Sequence, residues 1–294
     1  MLQDMEGTPR QVLEESADYW RDPSFAPMDL LRATYLTHRF SLHYHEEYVF
    51  GVIERGRYEF DFMGGRREIH AGQVLAINPG EVHSGYAKDE AGWSYRSFYP
   101  DAAWVTEVAR ELGYGGKRPH FRGPVLDDPI LAAKVVAFHR SMEDREARLV
   151  RDVTYQDLLT HLLRYAEHRP RDQRAGHEPH AVARARELLS NRFHEDMSLT
   201  CLAKETGISP FYLSRAFKKA FGLPPHRFLI LKRVQEARQS LLAGHRISDV
   251  ASDVGFADQS HLTRHFKNVY GTPPGRFVAA QQASRPPIKI SQAS

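Results

Sequence analysis

Three histidines in the N-terminal half of the chain have a spacing that could bind a ligand. His43, His45 and Glu47 occupy alternate positions, and on a β-strand such side chains point to the same face. His83 follows a turn sequence, Asn-Pro-Gly at 78–80, which could return a neighbouring strand to the same region. Imidazole ligands favour zinc, nickel, copper or iron over magnesium. The pattern is compatible with a metal site, with an organic-effector pocket, or with ordinary structural histidines.

A second candidate site lies in a degenerate repeat of the C-terminal third. Residues 202–208 match 250–256 at an offset of 48, and positions within 213–224 match positions within 262–273 at an offset of 49. In each copy a first helix is predicted to end at a glycine, Gly207 or Gly255, because glycine adopts the left-handed conformation at little cost. A second helix follows, with apolar residues on one face and basic residues on the other. This is the pattern of a helix-turn-helix, whose second helix enters the major groove of DNA.

The polar face of each second helix supplies the candidate DNA contacts. They are Phe211, Ser214, Arg215, Lys218 and Lys219 in the first helix, and Gln259, Ser260, His261, Thr263, Arg264 and Lys267 in the second. A guanidinium can pair bidentately with guanine, which favours Arg215 and Arg264 as base contacts, whereas lysines contact phosphates. Phe211 would contact a thymine methyl group or pack within the protein. An ordinary solvated basic face is the alternative, and its repetition in two units argues against it.

Residues 179–280 resemble the DNA-binding domain of the AraC/XylS family of bacterial transcription regulators. Besides the two units, the resemblance rests on Arg233, Ala237 and the segments 249–256, 261–267 and 271–274. It implies a sequence-specific regulator of promoter DNA that works with RNA polymerase, with activation favoured over repression. It also implies that the two recognition helices occupy successive major grooves on one face of the duplex.

The N-terminal histidines resemble the cupin barrel that serves many of these regulators as an effector domain. Metal-binding cupins hold an ion through three histidines and a glutamate, but here the glutamate expected four or five residues after His45 is missing, and no asparagine follows His83. We expect an effector pocket that uses His43, His45, Glu47, His83 and Trp93. A divalent metal on His43, His45 and His83 is the alternative cofactor, and none is required. A metal-dependent cupin enzyme or metal sensor fused to a DNA-binding domain is the alternative function.

Strands and helices must position these residues. Short segments with strand character, at 57–62, 73–77 and 93–99, are separated by turn signals and predict a small barrel over about 28–100. Helical spacing at 101–112, 129–142 and 152–168 predicts a helical region suited to homodimerisation.

The expected fold class is a two-domain α+β protein: an N-terminal cupin-like β-barrel with a helical dimerisation region, and a C-terminal all-α double helix-turn-helix domain. The effector-binding and dimerisation domain is assigned to 1–168 and a polar linker to 169–178. The DNA-binding domain is assigned to 179–282 and a disordered tail to 283–294.

Composition agrees with this division. Residues 1–177 contain 23 Lys and Arg against 28 Asp and Glu, whereas residues 178–294 contain 17 against 9, so the basic part is the one expected to bind a polyanion. The single cysteine, Cys201, excludes an intramolecular disulfide. Some regulators with related domains accept alkyl groups on cysteine, but here we expect a small buried hydrophobe. With no secretory signal or membrane span in the sequence, we expect a cytoplasmic protein, associated with the nucleoid when bound to DNA.

Overall fold

The computed structural model describes residues 14–22, 25–115, 118–167 and 180–282. They form a β-rich N-terminal domain and a helical C-terminal domain, as the sequence predicts. The predicted linker at 169–178 and the predicted tail at 283–294 lie outside these ranges. No helix among the described residues is both long enough and apolar enough to cross a bilayer.

The N-terminal domain is built on short strands. They are β1 (Ser16–Arg21), β2 (Met28–Tyr35), β3 (Arg39–His43), β4 (Val49–Phe62), β5 (Gly65–His70), β6 (Val74–Ile77), β7 (His83–Ala87), β8 (Trp93–Pro100), β9 (His120–Phe121), β10 (Val125–Leu126) and β11 (Ala166–Glu167). The predicted strands correspond to the second half of β4, to β6 and to β8. β1 precedes the expected start of the barrel at about residue 28. Its four central residues are all buried, so it lacks the alternation that marks a strand with one solvated face.

Strand β4 joins two layers of the β-domain. Its first half pairs with β6 and β8, and its second half pairs with β5 and β7. The change occurs near Gly56, which has a φ of +79°. A Cβ there would overlap the backbone carbonyl of Gly92, so both the conformation and the close approach require glycine.

Aromatic side chains fill the space between the two layers. The Trp93 ring lies 5.3 Å from that of Tyr35 and 5.1 Å from that of Tyr58, measured between centroids. Trp93 itself is 1% exposed. This part of the domain is therefore a packed aromatic core.

Three helices cover the outer face of the larger layer. They are α1 (Ala102–Glu111), α2 (Pro129–Glu143) and α3 (Arg148–Leu162). Phe98 of β8 packs on Phe138 of α2 at 5.3 Å between ring centroids. The third helix differs from its expected range of 152–168, because a 3-10 turn at Leu163–Tyr165 and the short strand β11 follow it. Buried residues continue beyond the helix end as the chain pairs with β9, so apolar spacing does not mark the boundary.

The C-terminal domain is helical throughout the described ranges. Its helices are α4 (His180–Asn191), α5 (Leu199–Thr206), α6 (Pro210–Phe221), α7 (Pro225–Leu242), α8 (Ile247–Asp253), α9 (Gln259–Tyr270) and α10 (Pro274–Gln282). The two predicted helix-turn-helix units are α5–α6 and α8–α9. Gly207 and Gly255 have φ values of +71° and +88°, which confirms the predicted left-handed turns.

The two domains pack directly on each other. Tyr44, which follows β3, stacks on Phe228 of α7 with 5.9 Å between ring centroids. Tyr19 of β1 lies 5.1 Å from Phe277 of α10. One continuous buried cluster contains residues of both domains, Tyr19 and Phe277 among them, so the C-terminal domain is docked on the β-domain.

Candidate nucleic-acid interface and histidine site

The first recognition helix, α6, presents a basic and aromatic surface. Ser209 caps its start by accepting a hydrogen bond from the Tyr212 backbone N–H, and Leu213 and Phe217 bury its inner face. Phe211 is 73% exposed, and the Arg215 guanidinium lies 5.5 Å from its ring centroid. Lys218 and Lys219 are exposed, and Ser214 is half-buried.

The second recognition helix, α9, repeats this arrangement. Asp258 caps it by accepting from the His261 backbone N–H at 2.7 Å, and Leu262 and Phe266 face inward. Among the candidate contacts, Gln259, Ser260 and Arg264 are exposed, whereas His261, Thr263 and Lys267 are half-buried. No ion pair joins Arg264 or Lys267 to a described carboxylate.

His261 is held within its own helix. Its Nε2 lies 3.1 Å from Nε2 of His265, and both rings pack on Phe256. Burial is the main cause that lowers the pKa of His265 to about 4, so His265 is neutral at neutral pH. A base contact by His261 Nε2 would have to replace this hydrogen bond, which leaves Nδ1 as its other polar atom.

Arg233 of α7 fixes the two units relative to each other. Its guanidinium donates to the carbonyls of Phe193 and Glu195 at 2.7 and 2.8 Å, before the first unit, and to the carbonyl of Gly255 at 2.6 Å, in the turn of the second. A single side chain therefore links the segment before the first unit to the turn of the second.

The C-terminal half of α9 is covered by the β-domain. The Tyr35 hydroxyl donates to the carbonyl of Gly271 at 3.4 Å, and a Cβ at Gly271 would overlap that hydroxyl. Burial, followed by the charge of Lys267, lowers the pKa of His38 to about 4. Lys267 thus lies near the domain boundary, whereas Lys218 and Lys219 of α6 are exposed.

A buried ion-pair network centred on Arg238 of α7 crosses the same boundary. Arg238 donates to Glu47 at 2.7 Å and forms an ion pair with Asp29 of β2. Asp29 is fully buried and accepts a second bond, from Arg21, at 2.6 Å. Burial acts to raise the pKa of Asp29, but the charges of Arg238 and Arg21 outweigh it and lower the pKa. Sequence reasoning missed this network, since no local pattern pairs residues 209 positions apart.

The three predicted histidines meet at one point. His43 ends β3, His83 begins β7, and the two are cross-strand partners. Ring centroids are 4.3 Å apart for His43 and His83, 4.8 Å for His43 and His45, and 5.3 Å for His45 and His83. All three are buried, and one nitrogen of each lies within 4.8 Å of those of the other two.

The histidines are held as neutral imidazoles. Burial lowers the pKa of His83 to about 4, and burial together with the neighbouring imidazoles lowers those of His43 and His45 well below their usual range. Nδ1 of His43 lies 2.7 Å from the Ser41 carbonyl and Nδ1 of His83 lies 3.0 Å from the Glu81 carbonyl. A carbonyl can only accept, so each Nδ1 carries the proton and each Nε2 has a free lone pair.

Glu47 and Trp93 do not join this cluster. The expectation of one strand through residues 43–47 is wrong, because β3 ends at His43 and β4 begins at Val49. Alternation therefore fails for Glu47, which bonds to Arg238 instead. Trp93 lies in the aromatic core, separated from His43 by Tyr35 and Phe40.

Cys201 also differs from its expected role. It is exposed and not a buried hydrophobe, because Leu202 and Ala203 supply the inner face of the short helix α5. A side chain that neighbours a buried residue on a helix can face solvent, and residue type alone does not show whether it does.

The chain matches two family models and resembles proteins of known class. An AraC-like ligand-binding domain matches residues 25–163, and a helix-turn-helix domain matches residues 202–280. An uncharacterized HTH-type transcriptional regulator of Bacillus subtilis (strain 168), YbfI, is 27% identical over 76% of this chain and 82% of its own length.

Two solved structures share the fold. An apo ToxT variant from Vibrio cholerae strain SCE256 has a TM-score of 0.53 at 10% identity, over 87% of this chain and 97% of its own. ToxT from Vibrio cholerae O395 has a TM-score of 0.50 at 11% identity, over 92% and 98%. An AraC-like ligand-binding domain followed by a double helix-turn-helix domain makes this chain a member of the AraC family, a ligand-responsive, DNA-binding transcription regulator.

Proposed function

We propose that α6 and α9 read promoter DNA and that docking of the C-terminal domain on the β-domain controls this reading. The observation that carries the proposal is the position of α9: its first turn is exposed while its last turn is held by Tyr35 at Gly271. In the docked state the ends of both helices lie against the β-domain, α6 with Gly222 beside Val82 and α9 with Gly271 beside Tyr35, while the outer face of α6 stays exposed. An effector that favours the undocked state would therefore raise DNA affinity, since a ligand shifts an equilibrium towards the state it binds better.

The proposed contacts follow from side-chain chemistry. Arg215 and Arg264 are exposed guanidinium groups that can each pair with a guanine. Lys218, Lys219 and Lys267 contact phosphates. The remaining proposed contacts to base edges or backbone come from the other polar residues of the two faces: Ser214, Gln259, Ser260, His261 and Thr263. Phe211 contacts a thymine methyl group or supports Arg215, on which it already packs.

The exposed apolar face of α3 supports homodimerisation. Leu149, Val150 and Val153 are 73%, 42% and 54% exposed and lie within one turn of helix. Three adjacent aliphatic side chains in water are a feature of surfaces that bind another protein. We propose that a second copy of the chain covers them. Sedimentation equilibrium should give a dimer for the wild type and a monomer for Val153→Lys.

The output proposed for this regulator is activation through contact with RNA polymerase, in the cytoplasm and on the nucleoid when bound. It would act by binding, with no catalytic step. The effector is proposed to bind in the N-terminal domain.

Selection of genomic DNA fragments by the purified full chain would test the function. Recovered fragments should share one sequence motif, and Arg264→Ala should lose preference at one base of that motif. Arg67→Ala, which removes the same charge from an exposed position of β5, is the matched control and should select the same motif. Recovery of random fragments by the wild-type protein would refute the proposal.

A further inference from the structure

We propose that His43, His45 and His83 bind one divalent transition-metal ion and that this ion is the effector. The proposal rests on the regulatory function above and names the chemical class of its ligand. It requires that the three nitrogens can surround an ion, that their lone pairs are free, and that the site can communicate with the recognition helices.

The geometry is close to that of a bound ion. Zinc–nitrogen bonds of about 2.0–2.1 Å in a tetrahedral site place ligand nitrogens ~3.4 Å apart. The candidate nitrogens here all lie within 4.8 Å of one another. Movement of each ring by less than about 1 Å would close the difference, and two of the three residues are anchored on paired strands.

Hydrogen bonding orients the rings as it does for metal ligands. Histidine ligands commonly donate their second ring N–H to a carbonyl, which fixes the tautomer and the ring orientation. His43 and His83 do this through the carbonyls of Ser41 and Glu81. The Nε2 atom of each ring keeps a lone pair that no bond within the described residues uses.

The cluster lacks a hydrogen bond at its centre. Among the described residues, the His45 imidazole makes no hydrogen bond, although the residue is only 6% exposed. This imidazole can therefore bind a ligand without giving up a hydrogen bond within the protein. A metal ion would satisfy all three lone pairs at once.

The ligand set selects the kind of ion. Three imidazoles without a carboxylate suit zinc, copper, nickel, cobalt or ferrous iron and disfavour magnesium and calcium. The carboxylates nearest in sequence have other partners: Glu46 pairs with Lys232, Glu47 with Arg238, and Glu81 accepts from the Asn78 backbone N–H. Three protein ligands would leave further coordination positions for water or for a small anion.

The position of the site couples it to DNA reading. The His45 ring lies 5.3 Å from Tyr99 of β8 and 6.3 Å from Tyr270, the last residue of α9. Tyr270 precedes Gly271, where the β-domain holds the recognition helix. An ion that draws the three imidazoles together therefore changes the surface on which the end of α9 rests.

Metal titration of the full chain tests the site directly. The protein is dialysed against a chelator, and zinc binding is then measured by calorimetry and cobalt binding by visible absorption. Wild type and His70→Ala, an exposed histidine of β5, should bind one ion per chain. His83→Ala and the more conservative His83→Gln should bind at least 100-fold more weakly, with unchanged circular dichroism of the metal-free proteins.

Two results would overturn the site. One is a wild type that binds no ion at micromolar concentration, and the other is equal affinity in the folded His83 variants. DNA affinity is measured on the same preparations. Specific DNA binding without metal binding would reject the metal site and leave the proposed function standing, whereas loss of both would reject the function as well. Metal binding that leaves DNA affinity unchanged would reject the ion as the effector.

Discussion

Replacing Arg238 with methionine should release the C-terminal domain from the β-domain. Methionine keeps much of the apolar stem and removes the guanidinium, which lies 5.7 Å from the Tyr270 ring centroid and pairs with Asp29 and Glu47. Breaking a buried pair by removing one partner costs about 3–5 kcal/mol. Since Arg21 still neutralises Asp29, we expect the lower end, about 3 kcal/mol of docking free energy.

This loss should appear as a gain in DNA affinity. A difference of about 3 kcal/mol shifts an equilibrium by roughly 100-fold, and apparent affinity scales with the fraction of binding-competent protein. We therefore expect the apparent Kd of Arg238→Met for operator DNA to fall by up to about 100-fold. Fluorescence anisotropy would measure the affinity, and small-angle X-ray scattering would report whether the chain becomes more extended.

Controls separate docking from general damage. Arg192→Met removes an ion-paired arginine that bonds only within the C-terminal domain and should leave both measurements unchanged. Asp29→Asn should resemble Arg238→Met, and the double variant should be no more affected than either. An Arg238→Met protein that extends in solution but binds DNA with wild-type affinity would refute the control of DNA reading by docking.

Further substitutions test single contacts. Arg264→Ala should cost roughly 1–3 kcal/mol at the cognate site and relax one base position, as measured by competition binding. Lys218→Ala should weaken all sequences alike and reduce the salt dependence of binding by about one ion. Gly271→Ala, which would overlap the Tyr35 hydroxyl, should undock the domains and raise DNA affinity, whereas an unchanged scattering profile would contradict the contact. Burial and Arg96 lower the pKa of His139 to about 3. The free energy of unfolding that depends on its neutral form is therefore fully present above the unfolded pKa of about 6.5 and falls by about 1.4 kcal/mol per pH unit below it. His139→Gln should reduce this pH dependence, as measured by urea unfolding between pH 6 and 5.

The sequence predicts the C-terminal domain well because its signals are local. Gly207 and Gly255 mark turns that need a positive φ, and Leu213 and Phe217 follow helical spacing within one helix. Each feature is determined by residues a few positions away, and the repeat presents it twice. The positions of these helices and their buried faces can therefore be predicted from the sequence without knowledge of tertiary contacts.

The histidine site was only partly predictable. Strand alternation predicts that His43, His45 and Glu47 share one face, but β3 ends at His43, so His45 and Glu47 both lie beyond the strand and only His45 joins the cluster. The convergence of His43 and His45 with His83 depends on pairing between β3 and β7, which sequence spacing suggests but cannot determine. The bond between Asp29 and Arg238 has no sequence signal, since it depends on how two domains dock.

Helix α7 has a consequence for protein engineering. Arg233 on this helix links the segment before the first helix-turn-helix unit to the turn of the second, and Arg238, five residues later, joins the same helix to the β-domain. Helix α7 thus contacts both helix-turn-helix units and also forms the ion pairs to the β-domain. A chimeric regulator that joins this β-domain to the DNA-binding domain of another protein, with the junction between the two domains, would lack α7. A transplant that keeps its response must carry α7 together with Asp29 and Glu47, so the exchangeable module crosses the domain boundary.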